Sequence, residues 1–306
     1  MVAGAEETVA VIGLGSMGLG IAQSLLRAGL TVAGYDIDPR ASEKLAASGG
    51  RAAPGPADAG RGAGVAIIVV VNAAQTDAVL FGPDGAAATM PVGGVILSSA
   101  TMSPADARRL ARQAGEAGLL FLDAPISGGS ARAASGGLTV MASGGAAAFA
   151  RAETVLAAMA QTVYRLGDEP GIGASFKIVN QLLAGVHIAA ACEAITLAKR
   201  LDLDIAKVYE VIVASAGNSW MFQNRIPHVL AGDYTPHSAV DIFAKDLGII
   251  GEIGRDRKFP MPIAASALQM FLMTSAAGMG RDDDASVARL IARITGLELP
   301  GMEPAP

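Results

Sequence analysis

Three groups of residues in this chain have the types and spacing to do chemistry. The first is the turn Gly13-Leu14-Gly15-Ser16-Met17-Gly18, followed further on by an acid, Asp36. Where a G-x-G-x-x-G turn leaves a strand and opens a helix, its first glycine permits the tight turn. Its second lets the backbone approach a pyrophosphate, its third lets helix and strand pack closely, and the helix N-terminus offers free N–H groups. A carboxylate ending the next strand accepts both ribose hydroxyls of an adenosine and repels a 2′-phosphate, which predicts NAD rather than NADP. Arg40 is the nearest cation that could still meet such a phosphate. With 38 glycines in the chain, the turn carries weight only through its place between strand and helix. The second group is Lys177, Asn180 and Gln181, spaced i, i+3 and i+4 so that they share one face of a helix. A lysine is a poor base at its free pKa of about 10.4, but burial and a nearby positive charge lower it towards about 7–8. The same residue could also lay its stem along a helix start with its ammonium in water. The third group is Ser127-Gly128-Gly129, a hydroxyl beside two backbone N–H groups without side chains. Such a turn can hold a carboxylate, or can simply end a strand.

The elements that must position these groups alternate in type along the first half. Thr8–Ile12, Leu30–Tyr35, Val65–Val71, Val95–Ser99, Leu119–Asp123 and Leu138–Ala142 read as strands, with helices over Met17–Ala28 and Pro104–Ala117. Near-continuous apolar strands separated by helices predict a parallel sheet covered on both faces, a Rossmann-type α/β domain over residues 1–166. Beyond it, residues 167–306 show no strand pattern and read as an all-α domain. A long helix at about 174–200 joins the two, followed by helical stretches near 205–215, 220–231, 238–257, 262–278 and 284–295. Lys177, Asn180 and Gln181 then fall where the domains meet, a common place for a cleft. Pro300–Pro306 reads as an unstructured tail.

Composition bounds the function. A length of 306 residues predicts about two domains. Hydrophobic residues make up 52% and aromatics 4%, so the core must be small and aliphatic. A net charge of −5 gives no general attraction to nucleic acid or to an anionic membrane. One cysteine, Cys192, rules out an internal disulfide and a multi-cysteine zinc site, and fits a reducing, cytoplasmic setting. The start, Met1–Glu7, lacks the basic residues of a signal peptide. The run Gly64–Ala74 is too short to span a bilayer, and Ala184–Ala198 contains His187 and Glu193, so no membrane partner is expected. No metal site is expected either.

Read together, Gly13–Gly18, the stretch Asp123-Ala124-Pro125-Ile126-Ser127-Gly128-Gly129, the stretch from Gly171 through Lys177 to Gln181, and Lys245-Asp246-Leu247 resemble the four signatures of the β-hydroxyacid dehydrogenase family, in order and over nearly the whole chain. That resemblance implies NAD-dependent oxidation of a small hydroxy acid. It gives Lys177 the proton transfer, Asn180 a substrate hydrogen bond, and Ser127, Gly128 and Gly129 the substrate carboxylate. It places Lys245 against the cofactor and Thr101 near the nicotinamide ribose, although Ser98 stands where the family usually has Asp. The stretches Val71–Thr76, with Asn72 on the cofactor side, Asn218–Phe222 and Gly232–Asp241 are most similar to the branch acting on L-threonate, giving 2-dehydro-L-erythronate. Gln181, a longer amide than the usual second Asn, suits a substrate with several hydroxyls. The alternatives are tartronate semialdehyde or 3-hydroxyisobutyrate chemistry, an imine reductase, or a non-catalytic dinucleotide-binding protein; the last two are disfavoured by the presence of Lys177. Separately, the apolar faces of the helical second domain predict a homodimer or homotetramer.

Several polar residues read as structural. His187 is rotated away from Lys177, His228 and His237 show no ligand spacing, Arg281-Asp282-Asp283-Asp284 reads as a solvated turn capping a helix, and Trp220 and Cys192 read as packing residues.

Overall fold

The structure, a computed structural model, describes residues 8–302; the acidic start and the last four residues of the expected tail lie outside them. The chain divides into two compact units, Met1–Ile178 and Val179–Pro306.

The first unit opens with β1 (Thr8–Ile12), α1 (Ser16–Arg27), β2 (Thr31–Tyr35), α2 (Pro39–Ala47), β3 (Arg51–Ala52), α3 (Pro56–Gly60), β4 (Ala63–Ile68), α4 (Ala73–Phe81), β5 (Val95–Ser98), α5 (Pro104–Glu116) and β6 (Leu120–Asp123). Six of these strands form a parallel sheet in the order β3-β2-β1-β4-β5-β6. Alternation along each strand sends side chains to opposite faces. Val9, Val11, Val65 and Ile67 join one buried cluster, and Ala10, Ile12, Ala66 and Ile68 the other. Small aliphatic side chains thus fill both layers, as a chain poor in aromatics requires.

Two sequence expectations need correction here. The strand expected over Val65–Val71 ends at Ile68. Val69 N still donates to Ile12 O at 2.8 Å, but the chain then leaves the sheet, and Val71 N donates to Gln75 Oε1. The strand expected over Leu138–Ala142 forms as β8 but lies outside the parallel sheet. With β7 (Ile126–Ser127) and β9 (Ala160–Arg165) it makes a separate three-stranded sheet, antiparallel to β7 and parallel to β9. The helices α6 (Gly129–Ser135) and α7 (Ala146–Met159) connect these strands.

Next comes α8 (Ile172–Arg200), a 29-residue helix within which the unit boundary falls. The second unit continues with α9 (Ile205–Val213), α10 (Trp220–Ala231), α11 (Val240–Asp256), α12 (Pro262–Thr274) and α13 (Ser286–Thr295), and among its described residues it has no strand beyond an isolated bridge between Ala239 and Asp283. Its core gathers Ile188, Ile195, Ile226, Leu247 and Phe271, with Phe243 stacked on Phe271 at 5.3 Å. Two helical stretches, Ile172–Arg200 and Pro262–Met279, are long and apolar enough to cross a membrane by length and composition; half of the apolar window of the first is buried inside the protein, as in a core helix.

Candidate functional site

The glycine turn sits at the C-terminal end of β1, and each glycine has a separate physical reason. Gly13 has φ +93°, and a Cβ there would lie 2.6 Å from Val69 O. A Cβ on Gly18 would lie 1.8 Å from Gly13 O, so helix and turn close only without one. Around Gly15, the residue preceding α1, a Cβ would meet nothing within 4 Å, and no side chain caps the helix there. The two outer glycines therefore build the turn, while the middle one leaves space against a bare helix N-terminus, the arrangement that accommodates a pyrophosphate.

Asp36 follows β2. One of its oxygens accepts from Leu14 N at 2.6 Å and the other from Asp38 N at 2.8 Å, which fixes the carboxylate against the turn. An ionised carboxylate has about four lone-pair sites, so each oxygen keeps one for a ribose hydroxyl. Arg40, the cation that could have met a 2′-phosphate, is held by Asp38, with Nη2 at 2.8 Å from Oδ2. Ile37, 90% exposed beside Asp36, is an apolar surface that the sequence reading passed over. These observations fit a dinucleotide without the extra phosphate.

Thr101 lies half-buried in the loop after β5, beside the buried Ser98 and Ser99. Asn72 has a local task as well: its Oδ1 caps α4 by accepting from Gln75 N at 2.8 Å. Gly13, Asp36, Asn72 and Thr101 therefore all follow the C-terminal ends of parallel strands, and β1 and β4 flank the point where strand order reverses. That is where open α/β sheets bind their ligands.

Asp123, at the end of β6, organises the rest of the first unit's site. It is buried, and its Oδ2 accepts from Gly171 N at 2.8 Å and Ala174 N at 2.7 Å, capping the start of α8. Burial pushes its carboxyl up to about 6, against the pull of these N–H groups and of Ser143. One turn into α8, Lys177 is 8% exposed and its Nζ donates to Ile126 O at 2.8 Å. The next residues are Ser127, Gly128 with φ +137° and Gly129 with φ +78°, where α6 begins. The lysine Nζ therefore stands at the head of the Ser-Gly-Gly turn, which excludes the reading in which it reaches into water.

In the second unit, Asn180, Gln181 and Lys245 converge on a residue that sequence reasoning did not place in the site, Asp246. Asn180 Nδ2 donates to Gln181 Oε1 at 2.9 Å, Gln181 Nε2 donates to Asp246 Oδ2, and Lys245 Nζ lies 2.6 Å from Asp246 Oδ1. Asp246 is fully buried. With Gln181 donating to a carboxylate, Asn180 in turn donates to Gln181, and the two amides share one orientation set by Asp246. The acid adjoining Lys245 was the available signal.

The turn Arg281–Asp284 is solvated only at its start, where Arg281 is exposed and Asp282 half-buried. Asp283 and Asp284 are fully buried, Asp283 meeting His228 Nδ1 at 3.0 Å and Asp284 meeting Arg225 Nε at 2.6 Å. Trp220 is half-exposed at the start of α10, and Cys192 is buried. No cluster of three metal-ligating side chains occurs among the described residues.

A parallel sheet with a glycine turn at its switch point, a ribose-directed acid and a buried lysine beside a Ser-Gly-Gly turn define a nicotinamide-dependent dehydrogenase. Residues 8–167 match the model of the NAD-binding domain of 6-phosphogluconate dehydrogenase, and residues 171–291 that of the NAD-binding domain of NADP-dependent 3-hydroxyisobutyrate dehydrogenase. The chain belongs to this 3-hydroxyisobutyrate dehydrogenase family and is an NAD-dependent hydroxyacid dehydrogenase. It is 55% identical to an L-threonate dehydrogenase of Cupriavidus necator, over 97% of this chain and 99% of the relative. It is 46% identical to an L-threonate dehydrogenase of Escherichia coli, over 98% and 99%. Among solved structures, a 3-hydroxyisobutyrate dehydrogenase from Salmonella typhimurium superposes with a TM-score of 0.89 at 49% identity, covering 93% of this chain and 99% of that one.

Proposed function

We propose that the protein oxidises L-threonate at its 2-hydroxyl to 2-dehydro-L-erythronate, with NAD preferred over NADP. The observation that carries the chemistry is the Lys177 Nζ contact with Ile126 O, at the head of Ser127-Gly128-Gly129. In this reading Ser127 Oγ and the N–H groups of Gly128 and Gly129 hold the carboxylate, which brings the neighbouring hydroxyl to the lysine. NAD, when bound, supplies the hydride acceptor. Lys177 takes the hydroxyl proton on Nζ as the C2–H bond breaks, desolvation being the condition under which a lysine serves as base. Asn180 and Gln181 bind the remaining hydroxyls. The turn Gly13–Gly18 would hold the pyrophosphate and Asp36 the adenosine ribose, and Asn72, Thr101 and Lys245 would complete the cofactor contacts. The first unit then serves the dinucleotide and, through Ser127–Gly129 and Lys177, the substrate's carboxylate and proton, while the helical unit adds the substrate amides, Lys245 and self-association as a homodimer or homotetramer, in the cytoplasm and without nucleic acid or membrane as partner.

The name of the Salmonella structure favours a second substrate, 3-hydroxyisobutyrate. A site built to hydrogen-bond several hydroxyls rejects an analogue lacking them, because its own polar groups are left unpaired. Purified protein should therefore form NADH with L-threonate and little with 3-hydroxyisobutyrate or with NADP in place of NAD. Rapid reduction of tartronate semialdehyde with L-threonate untouched would keep the family chemistry and overturn the substrate.

A further inference from the structure

Four buried or half-buried charged groups of the second unit lie outside the site described above. Arg225 and His228 stand one turn apart on α10; Asp283 and Asp284 precede α13. Asp284 takes Arg225 Nε. Asp283 has a wider reach. Its Oδ1 accepts from His228 Nδ1 at 3.0 Å and Ala285 N at 3.1 Å, and its Oδ2 from His237 N at 3.0 Å.

That last bond matters because His237 belongs to the segment 234–240, which is laid against 280–284 by backbone bonds. Asp283 N donates to Tyr234 O, Asp284 N to Ser238 O, Val240 N to Asp282 O and Asp241 N to Gly280 O, all between 2.8 and 3.0 Å. Arg289 lies over the Tyr234 ring at 4.6 Å and pairs with Asp282. The segment runs straight into α11, whose second turn carries Lys245 and Asp246. Where α11 begins along its axis is thus set by 234–240, whose seat is the 280–284 turn, held by Asp283 through both backbone and side chain. A one-residue slip there would carry Lys245 and Asp246 out of reach of Gln181, because helical neighbours are rotated by about 100° per residue.

We propose that Asp283, braced by His228, is a positioning residue for the reaction: it fixes the entry to α11 so that Lys245 meets the dinucleotide and Asp246 holds the substrate amides. This rests on the reading of Lys245 as a cofactor contact. The experiment compares Asp283→Asn, His228→Gln and Lys245→Ala by initial rates and by thermal melting. Asp283→Asn should raise KM for NAD at least ~5-fold while kcat stays within about twofold, the signature of lost binding rather than lost chemistry. His228→Gln, whose amide can still donate to Asp283, should restore most of that KM relative to His228→Leu. If Asp283→Asn does not fold, the His228 pair carries the same comparison. A lowered melting temperature with unchanged KM in Asp283→Asn, while Lys245→Ala raises KM, overturns the proposal alone. Unchanged KM in both variants overturns the cofactor reading of Lys245 and the proposal with it.

Discussion

The turn Gly13–Gly18 and the turn Arg281–Asp284 both lead a chain into a helix, and they are built in opposite ways. The first has almost no side chains. Its backbone is closed by contact of Gly18 with Gly13 and of Gly13 with Val69, and it leaves open space at Gly15. The second is filled: two adjacent carboxylates lie wholly buried and are supplied with an arginine, a histidine and backbone N–H groups from the protein itself. A loop meant for a ligand leaves helix N–H groups for the ligand to satisfy, whereas a loop meant to fix the chain is pinned by partners from the chain itself. Buried charge is tolerated only when paired, so the second kind is brittle where the first is permissive.

The largest expected effect tests that brittleness. Arg225→Met leaves Asp284 buried without its cation and should cost ~3–5 kcal/mol of unfolding free energy in a urea titration. A loss below about 1 kcal/mol would mean that the pair is better solvated than its burial indicates. Next is the chemistry of the first unit: Lys177→Ala should lower kcat at least ~10²-fold with NAD affinity nearly unchanged, the scale of a lost general base. Surviving turnover with collapsed NAD binding would make the lysine a cofactor residue. The glycine turn itself splits the comparison. Gly15→Ala, placed in open space, should leave the melting temperature within a degree or two but weaken NAD binding, whereas Gly18→Ala should cost ~1–3 kcal/mol of stability from overpacking. Equal melting temperatures for the two would contradict the distinction between building and binding glycines.

The smallest effect is one of pH. The folded-state carboxyl of Asp123 is raised from 3.8 to about 6, so its contribution to stability is fully present below the unfolded value and is lost as pH rises through about 6. Asp123→Asn can keep both N–H bonds of Gly171 and Ala174, since both fall on one oxygen. The variant should therefore melt with a flatter pH dependence between about pH 4 and 7, while Asp123→Ala, which strands two N–H groups, should melt lower at every pH. Parallel curves for wild type and Asn variant would remove Asp123 as the titrating group.

The glycine turn was legible because backbone contact forbids any other residue at Gly13 and Gly18, and Asp36 followed from the strand that ends beside it. Helical spacing puts Lys177, Asn180 and Gln181 on one face, while their roles came from the resemblance to the family. Hydrogen bonding across long separations was not. Asp123 caps α8 through residues 48 and 51 positions away, and Asp283 and Asp284 meet His228 and Arg225 at separations of 55 and 59. Nothing local to Arg281–Asp284 distinguishes a dry, paired carboxylate from a hydrated one, so its surface reading failed. The strand at Val65–Val71 was drawn too long for a related reason: an apolar run does not mark where a sheet's last partner ends.

The bond from Asp123 to the start of α8 has a consequence for how such a chain can diverge. It ties the strand that leads into Ser127-Gly128-Gly129 to the helix turn carrying Lys177, so the proposed carboxylate seat and base form one mechanical piece inside the first unit. The amides proposed to read the substrate's hydroxyls, Asn180 and Gln181 with Asp246 behind them, lie in the second. On that division, exchanging those amides should change the acid accepted while leaving proton transfer intact, whereas loss of the Asp123 clasp should disturb seat and base together.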